Sequence, residues 1–161
     1  MSRENPYDKF LAGRSAEEIL AETADKIAEY LEVIGKDKAA VPPAPSKWSA
    51  AEIVSHLADC EIVFAFRLRQ TLAEDEPTIQ PFDQDKWAKT YPGIPASLAL
   101  EVFGALRKWN LQLIHHALPK AGHRKMTHPE RGTMTFKTVV ETIAGHDLNH
   151  LGQLHKIAET F

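Results

Sequence analysis

Four stretches of this chain repeat apolar residues at steps of three and four, the spacing that places side chains on one face of an α-helix. The predicted helices run from about Ser15 to Ile34, from Ser49 to about Leu72, from about Ala96 to Leu118, and from about Thr135 to Glu159. No segment alternates apolar and polar residues as a half-buried strand does, and prolines separate the helices. The pattern predicts an all-α protein, a four-helix bundle with long second and third connections.

The sequence also predicts where the helices begin and which residues they turn inward. A serine or threonine followed three residues later by glutamate predicts a capping box, in which each side chain bonds the backbone of the other residue. Such pairs are Ser15 with Glu18, Ser49 with Glu52, and Thr138 with Glu141. In the third helix the predicted inward residues are Leu98, Val102, Ala105, Leu106, Trp109 and Leu113.

Two histidines interrupt the apolar stripe of the fourth predicted helix. His146 and His150 lie four residues apart, so their side chains point the same way. They occupy stripe positions between Ile143 and Leu154, where leucine or isoleucine would be expected. Burying ionisable groups is costly unless something pairs with them. A transition metal would account for the pair, since neutral imidazole is the commonest protein ligand for such ions.

A third histidine, His56, adjoins the inward stripe of the second helix. Metal sites in bundles are built from side chains on facing helices, so His56, His146 and His150 could supply three nitrogen donors. Three protein ligands leave a position for water or substrate, as in catalytic sites. Three imidazoles suit zinc, nickel or ferrous iron, and the sequence does not choose among them. The remaining histidines are predicted at the surface: His115, His116, His123, His128 and His155.

The order and spacing of these motifs resemble the DinB/YfiT superfamily. The matching stretches are Lys47–His56, which reads KWSAAEIVSH, and His146–Gln153, which reads HDLNHLGQ. The segment Phe82–Trp87 is similar to the family's loop between helices 2 and 3, and the resemblance runs from about Ser15 onward. It implies an up-down-down-up four-helix bundle, frequently a homodimer. It also implies a divalent metal, with His56, His146 and His150 as its ligands.

Members of this superfamily include S-transferases and isomerases that use low-molecular-weight thiols such as bacillithiol or mycothiol, and proteins designated metal-dependent hydrolases. We therefore expect an enzyme whose metal activates a thiol or a water molecule. The nucleophile would attack a small-molecule substrate held against Phe82, Trp87 or Tyr91 of the long second connection. Two alternatives remain: a non-enzymatic metal-binding stress-response or interaction module, and a metal that only stabilises the bundle.

Four further residues near the histidines need an assignment. Glu52 could be a fourth ligand or a base, although a helix cap is the favoured role. Asp147 and Gln153 could orient the ligands, although a solvent-exposed face is the default for both. Cys60 is predicted to be a buried, apolar-like residue and not a nucleophile. No catalytic residue is assigned from the sequence.

Composition limits the remaining function classes. The 161 residues suit one domain spanning 1–161. A formal charge of −3 without a basic run argues against a nucleic-acid partner. No apolar stretch approaches the roughly 18 residues that a bilayer span needs. The single cysteine excludes an intramolecular disulfide, and the polar N-terminus lacks the apolar core of a signal peptide, so a cytoplasmic protein is expected.

Overall fold

The structure, a computed structural model, describes residues 5–161. Four long helices form the bundle, and two short helices and a hairpin occupy the connections between them. Over the described residues the elements are α1 (Asp8–Leu11), α2 (Ala16–Ile34), α3 (Ala50–Ala73), α4 (Gln84–Ala88), α5 (Ala96–Ala121), β1 (Lys125–His128), β2 (Gly132–Thr135) and α6 (Phe136–Thr160).

Contacts between side chains fix the direction of each long helix. Helix α2 runs parallel to α6, because Thr23 meets Asp147 and, further along both helices, Tyr30 meets His155. Helix α5 runs antiparallel to α2, since Leu20 contacts Arg107 whereas the earlier Glu17 contacts the later His115. Helix α3 runs parallel to α5, as the pairs Glu61–Arg107 and Arg69–Asn110 indicate. The topology is therefore up-down-down-up, and the predicted four-helix bundle is confirmed.

The predicted helix starts are confirmed to different degrees. The Ser49 hydroxyl accepts from the Glu52 amide, and the Glu52 carboxylate accepts from the Ser49 amide, so this capping box forms as predicted. Ser15 precedes α2 without a capping hydrogen bond from its side chain. The box predicted at Thr138 is wrong, because α6 starts one turn earlier with Thr135 as its cap.

The inward face predicted for α5 is wrong by about one residue. Leu98 and Val102 point to solvent, and Trp109 is 65% exposed. The buried positions are Ala99, Phe103, Arg107, Asn110 and Ile114. The sequence prediction followed the larger apolar residues. The helix instead turns Arg107 and Asn110 inward, because both side chains donate hydrogen bonds to buried acceptors on neighbouring helices.

Those acceptors belong to an ion-pair network that joins all four long helices. Arg107 of α5 donates from Nη2 to Glu61 Oε1 of α3 at 2.7 Å and from Nη1 to Asp147 Oδ2 of α6 at 2.6 Å. Asn110 Nδ2 donates to the second oxygen of Glu61 at 2.9 Å, and Thr23 Oγ1 of α2 donates to Asp147. Burial alone would lower the pKa of Arg107, but Asp147 and Glu61 raise it above its usual value. The guanidinium therefore stays charged, and each buried charge has partners.

The hairpin β1–β2 lies in the third connection, where the sequence predicts no strand. Met126 and Met134 face each other across the antiparallel pair and are buried against the end of the bundle. Strands of four residues are too short to display a recognisable alternation. His128 at the end of β1 is buried, so its predicted surface position is also wrong. Among the described residues, no helix combines the length and apolar character needed to cross a membrane.

The network generates a stability prediction with an internal control. Replacing Arg107 with methionine leaves Glu61 and Asp147 buried without a counter-charge, so Arg107→Met should lower the free energy of unfolding by about 3–5 kcal/mol. The control is Arg14→Met, which removes an exposed ion pair with Glu22 and should cost less than about 1 kcal/mol. Urea denaturation followed by circular dichroism measures both. Equal losses of unfolding free energy in the two variants would contradict a stabilising role for the network.

Candidate metal centre

Three buried histidines converge between α3 and α6. His146 Nε2 lies 3.2 Å from His56 Nε2 and 3.1 Å from His150 Nε2. One nitrogen from each ring falls within 4.8 Å of those of the other two, and none of the three residues is more than 7% exposed. The helices provide this geometry directly, since the i, i+4 spacing stacks His146 and His150 on one face of α6 and α3 brings His56 opposite.

All three imidazoles are held in the neutral form. Burial, with a further contribution from His150, lowers the pKa of His56 to about 3. Burial also lowers the pKa of His146 well below its usual value, and the neighbouring His150 and His56 add to this effect. The pKa of His150 is lowered by burial as well, although Gln153 opposes the shift. Near pH 7 each ring therefore keeps a lone pair on one nitrogen, as a metal ligand must.

Gln153 determines which nitrogen of His150 faces the cluster. His150 Nδ1 lies 2.9 Å from Gln153 Oε1, an oxygen that can only accept, so Nδ1 carries the proton. Nε2 of His150 is thus left with its lone pair directed at His56 and His146. Gln153 is exposed, as expected, and its contact places an acceptor on the second ring nitrogen, where a metal-binding histidine usually has one.

The donor set fits a divalent metal. Three neutral rings whose nitrogens converge on one point cannot all hydrogen-bond to one another. A hydrogen bond between two ring nitrogens needs a proton on one of them, and when one pair of nitrogens shares that proton, the other pair is left with two facing lone pairs. His146 Nδ1 adds an unpartnered buried nitrogen among the described residues. A dication among the three nitrogens would remove the lone-pair repulsion and justify the cost of burying the rings.

Other candidate ligands lie outside the cluster. Glu52 is engaged in the α3 cap, and Asp147 is fully buried against Arg107 and Thr23, so the solvent-exposed position expected for Asp147 is wrong. Cys60 Sγ lies 3.5 Å from His56 Nε2. Burial raises the pKa of this thiol, and the nearby Asp147 and Glu61 raise it further. The thiol is therefore protonated and buried, as the sequence analysis expected.

Aromatic rings enclose the histidines. Trp48 lies 5.0 Å from the His56 ring and parallel to His150 at 6.5 Å. The Tyr7 ring meets His146 edge-on at 5.4 Å. Tyr7 can approach because residue 145 is glycine: a Cβ there would lie 2.6 Å from the Tyr7 side chain and 2.7 Å from its carbonyl oxygen. Tyr7 lies before the first periodic segment, so the apolar pattern gives no signal for it.

A cleft of about 640 Å³ opens next to the histidines. Its walls include Tyr7, Trp48, His150 and Gln153, and no carboxylate of residues 5–161 lines it. The expectation that Phe82 and Trp87 would hold a substrate is not met. These two rings pack on each other at 4.9 Å and lie outside the cleft lining, and Tyr91 is buried behind Trp48. The second connection contributes only Gln84 of α4 to the cleft.

Comparison with known proteins agrees with this architecture. The family model described as the DinB superfamily matches residues 19–154. The chain belongs to the DinB superfamily. Its similarity to YfiT from Bacillus subtilis covers 99% of this chain and 89% of YfiT, with a TM-score of 0.82 and 22% identity. YfiT is described as "a probable metal-dependent hydrolase with an unusual four-helix bundle topology", and the likeness at this identity establishes the fold.

Two relatives in this superfamily carry the name "Putative metal-dependent hydrolase". The one from Oceanobacillus iheyensis is 27% identical over 113 residues, which span 70% of this chain and 66% of the relative. The one from Bacillus mycoides is 21% identical over 136 residues, 84% of this chain and 79% of the relative. The names of these relatives and the buried histidine cluster agree in pointing to metal dependence.

Proposed function

We propose that this protein is a metal-dependent enzyme in which His56, His146 and His150 hold a divalent metal beside a cleft for a small molecule. The observation that carries the proposal is the convergence of three neutral, buried Nε2 atoms at 3.1 and 3.2 Å. Zinc, nickel and ferrous iron all suit three imidazoles. When bound with an open position, such an ion supplies a Lewis acid that lowers the pKa of a thiol or a water molecule.

Residues around the cluster have distinct supporting roles. Gln153 holds the proton on His150 Nδ1 and so keeps the opposite nitrogen free to ligate. Trp48 and Tyr7 cover the rings and restrict access of water to the side that the cleft leaves open. Lys47 and Lys156 also line the cleft, so its electrostatic field favours an anionic or polarised small molecule.

The nucleophile is supplied from outside the chain. Cys60 is a protonated, buried thiol, and none of the described carboxylates lines the cleft to act as a general base. A thiol cosubstrate would give an S-transferase, and water would give a hydrolase, the activity named for the relatives. A low-molecular-weight thiol is our first proposal, because an ion with three neutral ligands favours an anionic fourth ligand and thiols ionise more readily than water.

The alternative of a purely structural metal has less support. Structural zinc sites usually have four protein ligands, and the described residues bring only three histidines together. The adjacent cleft is also unnecessary for a stabilising ion. A non-enzymatic metal-binding module remains the second candidate, favoured by the lack of a general base in the cleft.

Ligand substitution tests the proposal. His150→Ala should release the metal and abolish thiol transfer and ester hydrolysis while the helices remain formed. Gln153→Leu should weaken metal affinity by about 10- to 100-fold, because the His150 tautomer is no longer fixed. His155→Ala is the matched control, since His155 is exposed on the same helix. Competition with a chromophoric chelator measures affinity, and a screen of small thiols and esters measures activity.

Three outcomes of this test are informative. Full metal content in His150→Ala would contradict the ligand set. Metal binding without turnover of any thiol or ester would favour the binding module. Loss of all activity in Cys60→Ser would contradict an external nucleophile.

We also propose that the protein forms a homodimer through the outer face of α3 and α5. The large apolar residues that α5 turns outward meet similar residues of α3: Ile62, Phe66, Leu98, Val102 and Trp109 are all at least 39% exposed. Arg69 of α3 lies 5.7 Å from the Trp109 ring, so the two exposed faces are continuous. A continuous apolar surface of this kind is typical of an interface between copies.

A charge placed on this face should separate the copies. Trp109→Glu is expected to sediment as a monomer, because burying the carboxylate in an apolar interface is costly. Val33→Glu, at a 67% exposed position on α2, should sediment like the unmodified protein. Analytical ultracentrifugation distinguishes the two. A monomeric unmodified protein, or an unchanged dimer in Trp109→Glu, would contradict this interface.

A further inference from the structure

Arg67 is a buried cation without a counter-charge. It lies on α3 on the same side as His56, and only 8% of its surface is exposed. Its Nη2 donates to the Gln80 carbonyl oxygen at 2.8 Å, and its Nε has no partner among the described residues. The guanidinium carbon lies 5.9 Å from the Phe64 and Phe82 rings. No described carboxylate forms an ion pair with it, which is unusual for a side chain buried to this degree.

The β-hairpin brings a second guanidinium to the same place. Thr127 of β1 exchanges hydrogen bonds with Pro77 and Ile79, and Gln80, the acceptor of Arg67, follows directly. This pairing places His128 and the turn that follows it, which includes Arg131, beside the segment that Arg67 contacts. Arg131 likewise forms no ion pair with a carboxylate of the described residues. Its charge, after burial, lowers the pKa of Arg67.

The buried His128 lies in the same concentration of positive charge. Its pKa is lowered first by burial and then by Arg131 and Arg67, while the exposed Glu130 acts in the opposite direction. His128 Nδ1 accepts from the Glu130 amide at 3.1 Å, so the ring is used to hold the hairpin tip. Arg67 and Arg131 thus add positive charge beside a neutral imidazole, and neither forms an ion pair with a carboxylate of the described residues.

This cationic pair lies one aromatic ring away from the candidate metal centre. Phe64 touches both, with its ring 6.3 Å from that of His146 and 5.9 Å from the Arg67 guanidinium carbon. Arg67 therefore lies on the Phe64 side of the histidine cluster.

We propose that Arg67 and Arg131 form a binding site for an oxyanion, a carboxylate or phosphate group carried by a small molecule. A planar guanidinium matches the two oxygens of such a group, and a bound anion would give the buried Arg67 the counter-charge and the Nε acceptor that it lacks among the described residues. That the anion is one end of the substrate or thiol cosubstrate rests on the proposed function. Binding of the anion itself does not depend on the proposed function.

Titration of the metal-free protein with succinate, and separately with inorganic phosphate, tests this site. Chelator-treated protein is used so that neither anion can bind through a metal, and chloride keeps the ionic strength constant. Isothermal calorimetry should detect saturable binding of at least one anion, and the anion that binds identifies the carboxylate or phosphate source. Absence of saturable binding by both would overturn the proposal.

Charge removal locates the site. Arg131→Gln should weaken binding by about tenfold or more, as expected when a charge-assisted hydrogen bond is lost. Lys125→Gln is the matched control, because it removes the same charge from an exposed position on the same hairpin, and it should change affinity less than about twofold. Equal effects of the two variants would overturn the proposal, since general electrostatic attraction would then suffice.

A variant of the buried arginine tests the geometry. Arg67→Lys keeps the positive charge but loses the planar fork, so it should also bind the anion more weakly than the unmodified protein while its helical content is unchanged. Unaltered affinity in Arg67→Lys would exclude the guanidinium as a ligand. A protein that fails to bind metal could still pass all these tests, so the two proposals fail separately.

Discussion

The charge pairing around Arg107 determines how the helices of this bundle face one another. One guanidinium reaches Glu61 on α3 and Asp147 on α6 and also donates to the Leu20 carbonyl oxygen of α2, so it touches every other long helix. Buried charged groups must be well aligned with their partners, because a buried charge that lacks its partner costs its full desolvation free energy. As a consequence, α5 is rotated so that its stripe of large apolar residues does not face the core. The same rotation moves Trp109 and its neighbours to the outer surface, where they form the face proposed for a second copy.

The geometry of the candidate metal centre depends on this ion-pair network. Asp147 is the residue after His146, and Glu61 is the residue after Cys60, so the ion pairs fix the turns of α6 and α3 on which the histidines lie. The network carries two carboxylates for one guanidinium, which leaves an excess of negative charge on the inner side of the centre. Such a charge favours a bound dication.

Most of the fold and the histidine cluster could be predicted from the sequence, because both depend on periodicities that are local to one helix. The pair His146 and His150 stood out as polar residues on an apolar stripe. His56 only adjoins the stripe of α3, and it was added because bundle metal sites use facing helices and because the motif order resembles the superfamily. The α5 face could not be predicted this way, since its orientation depends on carboxylates 40 or more residues away. Tyr7 and Arg131 lie in irregular segments, where no period relates sequence position to spatial position. Asp147 was misjudged for the same reason as α5, because its partner is on another helix.

X-ray absorption spectroscopy of the zinc-loaded protein, prepared without added thiol, tests the central claim most directly. The three-histidine centre predicts nitrogen or oxygen scatterers alone at about 2.0–2.1 Å, with the outer-shell signature of three imidazole rings. His155→Ala should leave that spectrum unchanged, and His150→Ala should remove it. A sulfur scatterer at about 2.3 Å, which only Cys60 or a methionine could supply, or a first shell without imidazole would contradict the account.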